Sequence, residues 1–595
     1  MKMKKAFLYL TLLFSLIVCA QNEQLALHYY EKGQFEKALI TYQDLLKSQP
    51  GNSIFFQKTI DCHQQLKQFD LAEKSIQTQW NRYKQAPLLV ELGYNYQLQQ
   101  NESKATKNYN QALEQIKNNP SEVYGVAAAF ERKTLIDYAL QSYELALKLE
   151  PQFNFNFQMA LLYGQKGAFD KMIEKFLTES FQNQQNTIPI QSQLSLFMTD
   201  ENNAGGFNDL LRKALLVRVQ KEQDVFWNQF LSWFYIQRKE YAKAFVQEKA
   251  IYKRNPESLA VLFNLAQLAI EEKDNATASE ILSYLLQNTQ DQNLQIQVNC
   301  FLIEMKIASA PEAEYKAIEA ELSALVKQFG VSPYSLRLQI IEAHFLTFKR
   351  NNPIKAKELL NQALQLPLNA YQKAEAKMEL ADVLLYEEKF NQALLYYSQI
   401  EEDLKNDAVG HEASLKAAKT SYFKADFEWA LKQFKELKTA SSQLIANDAL
   451  EYFLLINDNT IADSTQTALK EFARADYLLY QNRNKEALTA FLNVLKNNKG
   501  QEIEAVTLLR LGQTYEKLGD YPLALQHYQI IIDQHTEGIY SDEALYFAAE
   551  IYNTQLKQAD KAKSLYEKIV FKHEDSIYFV EARKKYRQLR GDTNL

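Results

Sequence analysis

Small and aromatic residues recur at fixed offsets, separated by polar positions, along most of the chain. The first copy consists of Ala26, Tyr29, Gly33, Phe35, Ala38, Tyr42, Leu45 and Pro50. Later copies are recognised by Leu92-Gly93-xx-Tyr96, Val126-Ala127-xx-Phe130, Leu231-Ser232-xx-Tyr235, Leu265-Ala266 and Leu511-Gly512-xx-Tyr515. Each copy predicts two amphipathic helices. The small residues let the two helices approach closely, and the aromatic residues fill the space between one pair and the next.

The spacing of the small residue that opens the second helix changes along the chain. These residues are Ala38, Ala72, Ala105, Ala139, Met172, Ala244, Ala278, Ala356, Ala393, Ala430, Ala487, Ala524 and Ala562. The spacing is 33 or 34 residues from Ala38 to Met172 and from Ala244 to Ala278, and 37 or 38 residues from Ala356 to Ala430 and from Ala487 to Ala562. The later units are therefore predicted to have longer helices or links, and a different superhelical curvature.

The pattern resembles the tetratricopeptide repeat, a helix–turn–helix unit of about 34 residues, over nearly the whole chain. One such pair cannot bury its apolar face alone, so neighbouring pairs must stack. The resemblance implies an all-α fold, an α-solenoid with a right-handed superhelix of about 12–15 repeats.

Three stretches break the repeat register and suggest bends in one solenoid. Residues 187–224 contain a loop signal at Asp200–Gly206, and residues 439–467 contain Ser441-Ser442 and Asn457–Asn459. Residues 293–336 suggest a helix pair with a long second member that ends near Gly330. The predicted organisation is a signal peptide (1–20), an N-terminal array (21–186), an irregular and repeat-like middle (187–336), a C-terminal array (337–575) and a capping helix and tail (576–595).

Composition supports helices over strands. The 595 residues include only 15 Gly and 11 Pro, too few for many tight turns between strands, so no strand longer than three residues is expected. Tyr (35) and Phe (34) are numerous enough to fill a core that continues along the chain. A hydrophobic content of 47% with 24% charged residues argues against wholesale disorder.

The first twenty residues have the pattern of a targeting segment. The basic MKMKK is followed by thirteen mostly apolar residues, Ala6 to Val18, which are too few to span a bilayer comfortably. Val18-Cys19-Ala20 predicts cleavage after Ala20 and export to the periplasm. The alternatives are a lipoprotein acylated on Cys19, in which Val18 replaces the usual small residue, and an uncleaved anchor. No later segment predicts a transmembrane span.

The net charge limits the classes of partner, and the cysteine content indicates whether disulfide bonds are expected. Lys and Arg number 67 against 73 Asp and Glu, a net charge of −6. Removing the three leader lysines leaves 64 against 73, or −9, which disfavours nucleic acid and anionic membrane surfaces. Cys62 and Cys300 are expected to be unbridged, small buried side chains.

The sequence contains none of the common catalytic or cofactor motifs, such as GxxxxGK[ST], GxGxxG, HExxH or paired CxxC. We therefore expect no catalytic residue, no cofactor and no metal site, and a protein that is not an enzyme. The seven histidines are scattered and are interpreted as surface or packing residues. An enzyme of unrecognised type in the irregular region 187–330 is the alternative.

The resemblance implies a partner-binding groove lined by the first helices of successive repeats. The repeat frame predicts five groove residues: Phe226, Gln229, Trp233, Phe263 and Gln267. Alternatively, an extra helix in the preceding irregular stretch covers Phe226 and Trp233. The variant Trp233→Ala distinguishes these two possibilities. Loss of a groove aromatic residue should weaken binding, whereas loss of a core aromatic residue should cost about 3–5 kcal/mol of stability.

The C-terminal units end in Tyr578-Phe579-Val580-Glu581-Ala582-Arg583 and resemble repeat proteins of the bacterial cell envelope. This resemblance implies an exported scaffold that binds a protein or peptide partner, with outer-membrane association left open. The alternative is a lipoprotein subunit of an outer-membrane assembly or secretion machine.

Overall fold

The computed structural model describes residues 22–199, 204–440, 442–461 and 465–592, and every regular element in these ranges is helical. None of the helices described is long and apolar enough to cross a membrane. The predicted signal peptide, with Cys19 and Ala20, lies outside the described residues. The all-α prediction is confirmed.

The chain divides into two compact units, Met1–Phe226 and Trp227–Leu595. The first unit contains α1 (22–31), α2 (Phe35–Ser48), α3 (Ser53–Gln65), α4 (Phe69–Tyr83), α5 (Pro87–Leu98), α6 (Glu102–Asn118), α7 (Val123–Arg132), α8 (Ile136–Leu149), α9 (Asn156–Gln165), α10 (Phe169–Gln182), α11 (Thr187–Met198) and α12 (Ala204–Glu222). Short 3₁₀ turns occupy Pro120–Glu122 and Gln184–Asn186.

The division falls inside α13 (Val225–Gln237), after its second residue. The second unit continues with α14 (Tyr241–Arg254), α15 (Ala260–Glu271), α16 (Asn275–Asn288), α17 (Gln292–Ser309), α18 (Tyr315–Phe329), α19 (Leu336–Phe348), α20 (Pro353–Ala363), α21 (Ala370–Tyr386), α22 (Phe390–Asp403), α23 (Ala408–Phe423), α24 (Phe427–Ala440), α25 (Gln443–Ile461), α26 (Thr467–Tyr480), α27 (Asn484–Asn497), α28 (Ile503–Lys517), α29 (Tyr521–Gln534), α30 (Ser541–Glu550), α31 (Ala559–Lys572) and α32 (Phe579–Arg590). Glu312–Glu314 and Pro333–Ser335 are 3₁₀ turns, and Ile551–Gln555 is a π-helical turn after α30.

The small residues predicted to open the second helices lie where paired helices touch. All thirteen, from Ala38 to Ala562, have fully buried side chains. The first helix contributes a second close approach, because a Cβ added at Gly93 or Gly512 would lie only 2.4 or 2.3 Å from the ring of Tyr109 or Tyr528. The repeat register read from the sequence is confirmed in both units.

The link between the two helices of a pair contains one residue in the left-handed backbone region. These residues are Gly33, Lys67, Gln100, Thr134, Gly167, Lys239, Lys273, Asn351, Glu388, Ala425, Asn482, Gly519 and Lys557, with φ between 51° and 79°. Only three of the thirteen are Gly, although this region disfavours residues with a Cβ. The turn geometry is therefore imposed by the packing of the pair.

The longer spacing of the C-terminal repeats comes from longer first helices. In the first unit α5, α7 and α9 have 12, 10 and 10 residues, whereas α21, α23 and α28 have 17, 16 and 15. This confirms the predicted lengthening. The associated change in curvature stays a prediction.

The irregular stretches differ from the sequence prediction in three details. Ala204–Gly206 begin α12 instead of forming a loop, and residues 200–203 lie outside the described ranges. In the 293–336 pair the first member, α17, is the longer one, although α18 does end directly before Gly330. Asn457–Asn459 belong to α25 because the neighbouring Leu455 and Ile456 are buried, and that packing outweighs the local loop signal.

The described part of the chain ends in the helix α32, which has Arg587 and Arg590 in its last turn. In α32 only Ala582 is buried, and Lys585 donates to Glu550 of α30 at 2.5 Å. Cys62, in the first unit, and Cys300, in the second, are both free thiols with fully buried side chains. Burial raises the pKa of each thiol to about 12, which suits a packing role.

Candidate functional site

First helices of successive pairs in the second unit line a cavity of about 630 Å³. Its apolar and aromatic lining residues are Phe348, Leu385, Tyr397, Leu415, Phe423, Tyr452, Leu479 and Tyr480. Its polar lining residues are His344, Asp382, Glu412, Lys416, Lys419, Asp476 and Asn482. Most of these residues come from α19, α21, α23 and α26. The volume lies within the range of about 300–1,000 Å³ that is typical of ligand sites.

One side of the cavity is formed by α26, which packs back onto α21. The helix α25 packs mainly against α24, and the chain then returns so that α26 contacts both α23 and α25. Tyr477 donates its hydroxyl to the carbonyl of Leu385 at 2.6 Å, and Tyr480 donates to the carbonyl of Asp382 at 2.9 Å. These contacts join residues more than ninety positions apart in the sequence.

Two acceptors, the carbonyls of Leu385 and Tyr386, lie in the last turn of α21. Carbonyls in the final turn of a helix lack the donor that the next turn would provide, so other donors stabilise them. The carbonyl of Leu385 accepts from the backbone N–H of Glu388 at 3.0 Å as well as from Tyr477. The carbonyl of Tyr386 accepts from Gln481 Nε2 at 2.8 Å. Arg474 of α26 adds an ion pair with Glu388 at 2.9 Å.

One wall of the cavity contains a histidine–carboxylate pair. His344 Nδ1 lies 3.1 Å from Glu379 Oε1. Burial alone would lower the pKa of His344, but the hydrogen bond and negative charge of Glu379 outweigh it, and the pKa is raised. The imidazole therefore holds a proton to higher pH than an ordinary histidine.

A second group of polar side chains in the cavity wall surrounds the carboxylate of Asp382. Its two carboxylate oxygens accept hydrogen bonds from the Tyr397 hydroxyl at 2.5 Å and from Lys416 Nζ at 2.6 Å. Burial would lower the pKa of Lys416, but the neighbouring Asp382 charge outweighs it and the pKa is raised. Lys416 is therefore charged, and its charge is matched by Asp382 within the wall.

Asp476 is less well paired than Asp382. Its side chain is 8% exposed, yet its closest polar contacts are the Tyr452 hydroxyl at 3.5 Å and Arg510 Nε at 3.6 Å. Arg510 also donates through Nη2 to Glu451 at 2.6 Å, so one guanidinium serves two carboxylates. Burial raises the pKa of Asp476. Asp476 therefore lines the cavity with only long polar contacts.

The repeats of the second unit can be compared with known repeat families. A family model for the tetratricopeptide repeat matches residues 472–538, which run from α26 to just beyond α29. This range contains the Gly512–Tyr528 approach and the buried Ala487 and Ala524 that set its helix pairs. This segment of the chain therefore contains tetratricopeptide repeats.

Several solved structures show similarity to this chain. A structure of Naa15/Naa10 bound to HypK-THB is 12% identical, covering 96% of this chain and 94% of that one, with a TM-score of 0.28. Yeast Tom70 is 14% identical, covering 85% and 99%, with a TM-score of 0.30. The P58(IPK) TPR domain is 15% identical, covering 62% and 99%, with a TM-score of 0.19. At TM-scores this low they carry no conclusion about partner or function. No curated protein matches the chain.

The groove residues predicted from the sequence have different environments. Phe226 is 8% exposed, and its ring packs edge-on against Phe181 of the same unit at 5.6 Å. Gln229 is exposed, whereas Trp233 is partly buried and its ring packs edge-on against Phe230 at 5.3 Å.

The remaining two predicted residues, Phe263 and Gln267, lie on α15 and are half-buried. The Phe263 ring packs edge-on against Phe301 at 5.8 Å. None of the five predicted residues lines the cavity. Their role in binding stays a prediction.

The cavity residues were not singled out from the sequence. The sequence did contain one indication of this site, because Asp382 and Lys416 lie 34 residues apart, about one repeat, on successive first helices. Such a pair meets only if the helices stack in register, and α26 completes the cavity only through its contacts with α21. Among the described residues, no group of three or more His, Cys, Asp or Glu is placed to hold a metal ion.

Proposed function

We propose that the protein is a non-enzymatic scaffold that binds a protein or peptide partner, and that the cavity of the second unit is its main binding site. The cavity itself carries this proposal. It is lined by first helices, is of ligand-binding size, and exposes aromatic rings beside charged groups. Rigid aromatic side chains in a concave site are favoured anchors for a partner.

The packing of the cavity walls supports a site that is formed before a partner arrives. Tyr397 is fully buried and Asp382 is held by two hydrogen bonds, so neither side chain has to be ordered on binding. A preformed site binds more tightly because less side-chain freedom is lost.

Site-specific photo-crosslinking in cells tests this function. Glu412 lines the cavity with a 53% exposed side chain, so a photoreactive amino acid should be tolerated there. Leu395, on the second helix α22, is 58% exposed and does not line the cavity, so it provides the matched control. A partner crosslinked from Glu412 and not from Leu395 supports the proposal. Equal crosslinking from both positions, or none from Glu412, contradicts it.

We further propose that the scaffold is exported to the periplasm of a bacterial cell envelope, with cleavage after Ala20. The basic MKMKK and the apolar run to Val18 support export. Mass spectrometry of the mature N-terminus tests this. A chain beginning at Gln21 supports the cleaved form, an acylated Cys19 supports the lipoprotein alternative, and an intact Met1 contradicts both.

A further inference from the structure

We propose that the cavity of the second unit receives a basic side chain, lysine or arginine, of the partner peptide. This rests on the proposed function and specifies the chemistry of the partner. Three observations carry it: an excess of carboxylates around the cavity, the incomplete pairing of Asp476, and the aromatic rings of the wall.

The charge balance of the cavity favours a cation. The lining charged residues and their ion-pair partners comprise five carboxylates, Glu379, Asp382, Glu412, Asp448 and Asp476. They are balanced by four basic groups, His344, Lys416, Lys419 and Arg510. With all of these groups charged, the excess is one negative charge. A cation entering the cavity reduces this excess, whereas an anion adds to it.

Asp476 identifies where the cation is expected to bind. A carboxylate has about four acceptor positions, and Asp476 fills them only with two contacts of 3.5 and 3.6 Å. Hydrogen bonds between charged groups are normally about 2.7–2.9 Å long. An ammonium or guanidinium group in the cavity would supply the short contacts that the Asp476 carboxylate lacks.

The lysines of the wall argue against an acidic ligand. Lys416 Nζ lies 2.6 Å from Asp382, and Lys419 Nζ lies 3.1 Å from Asp448. An acidic peptide would have to compete with these carboxylates for the two ammonium groups. It would also bring its charge close to Asp476.

Aromatic rings suit the stem and the charge of a basic side chain. Phe348, Phe423 and Tyr480 line the same cavity. The methylene groups of lysine and arginine pack on aromatic surfaces, and their cationic ends are attracted to the ring faces. The combination of aromatic rings with an incompletely paired carboxylate fits a lysine or arginine better than a small hydrophilic ion.

Two short peptides of opposite charge test the proposal. The probes are acetyl-Lys-Phe-Lys-amide and acetyl-Glu-Phe-Glu-amide, titrated into the full chain by isothermal calorimetry at low salt. We expect the basic probe to bind and the acidic probe to show at least about tenfold weaker binding. Equal binding, tighter binding of the acidic probe, or no binding of the basic probe overturns the proposal.

Two matched variants locate the bound probe. Asp476→Asn keeps the shape of the side chain and removes its charge, and should weaken the basic probe about tenfold. Asp403→Asn makes the same change on α22 at a 60% exposed residue outside the cavity, and should leave binding unchanged. Equal effects of the two variants contradict the assignment. Thermal melts of both establish folding, and the comparison of the two probes in the unmodified protein does not depend on either variant.

The outcomes also separate this inference from the proposed function. If Glu412 crosslinks a partner through an acidic segment, the scaffold function stands and the basic-ligand inference is wrong. If the basic probe binds at Asp476 but Glu412 crosslinks no protein, the cavity is a cation site and the scaffold function is wrong.

Discussion

Tyr477→Phe tests whether α26 is held on α21 by the hydrogen bonds at the end of that helix. The Tyr477 side chain is 1% exposed, and its hydroxyl donates to the carbonyl of Leu385 at 2.6 Å. The same oxygen accepts from Gln481 Nε2 at 3.1 Å. The substitution keeps the ring and removes only this hydroxyl, so packing in the core is preserved.

The expected loss of stability is that of a buried hydrogen bond whose partners keep other contacts. Without the hydroxyl, the carbonyl of Leu385 still accepts from the backbone N–H of Glu388 at 3.0 Å, and Gln481 Nε2 still donates to the carbonyl of Tyr386 at 2.8 Å. A hydrogen bond of this kind contributes about 0.5–1.5 kcal/mol. We therefore expect the free energy of unfolding of the second unit to fall by about 0.5–1.5 kcal/mol.

Urea unfolding followed by circular dichroism measures this change. Tyr371→Phe is the matched control, since Tyr371 lies on α21, is 52% exposed, and donates to Asp407 at 2.9 Å. Surface changes of this kind are usually within about 0.5 kcal/mol. If Tyr477→Phe unfolds at the same urea concentration as Tyr371→Phe, the hydrogen bonds at the end of α21 do not stabilise the closure.

Three further substitutions test the repeats and their electrostatics. Gly512→Ala should destabilise the protein by about 1–3 kcal/mol, as measured in urea, because the new methyl group would lie 2.3 Å from the Tyr528 ring. Thr134→Gly should raise the melting temperature, since Thr134 has φ 55° and glycine removes about 0.5–1 kcal/mol of net backbone strain. Burial and the nearby Glu451 raise the pKa of Glu543 to about 7, so Glu543→Gln should stabilise the protein at pH 8 by about 1–3 kcal/mol.

The raised pKa of Glu543 predicts the direction in which stability changes with pH. Its pKa is raised on folding, so the folded state binds the proton more tightly and stability declines as pH rises from about 4.5 to about 7. The glutamine variant should lose this decline, measured by urea unfolding at pH 5 and pH 8. An unchanged pH dependence contradicts the electrostatic explanation.

The other two variants can be contradicted as well. An unaltered stability of Gly512→Ala contradicts the packing explanation, and a lower melting temperature of Thr134→Gly contradicts the backbone explanation.

The repeat architecture was predictable because its determinants are local. The small residue of the second helix, such as Ala244 or Ala524, must be small wherever two helices touch, and this constraint is visible at every repeat. The longer C-terminal spacing likewise follows from helix length alone. Local reasoning was wrong at Asn457–Asn459, where burial of the neighbouring residues of α25 outweighs weak helix propensity.

The cavity was not predictable for a different physical reason. It depends on α26 packing against α21, and the contact between Tyr480 and Asp382 joins residues 98 positions apart. Repeat signatures specify which neighbours pack and do not specify such a return of the chain. The repeat frame predicts Phe226 either in the groove or covered by a preceding helix; its ring packs against Phe181, and its role in binding stays a prediction.

Hydrogen–deuterium exchange of the full chain, free and bound to the partner crosslinked from Glu412, tests the binding site most directly. If the partner occupies the cavity, exchange should slow in α21, α23 and α26, around residues 379–386, 412–423 and 476–482. Protection confined to α13 and α15, which carry Trp233 and Phe263, would contradict the cavity as the binding site and favour the groove predicted from the sequence.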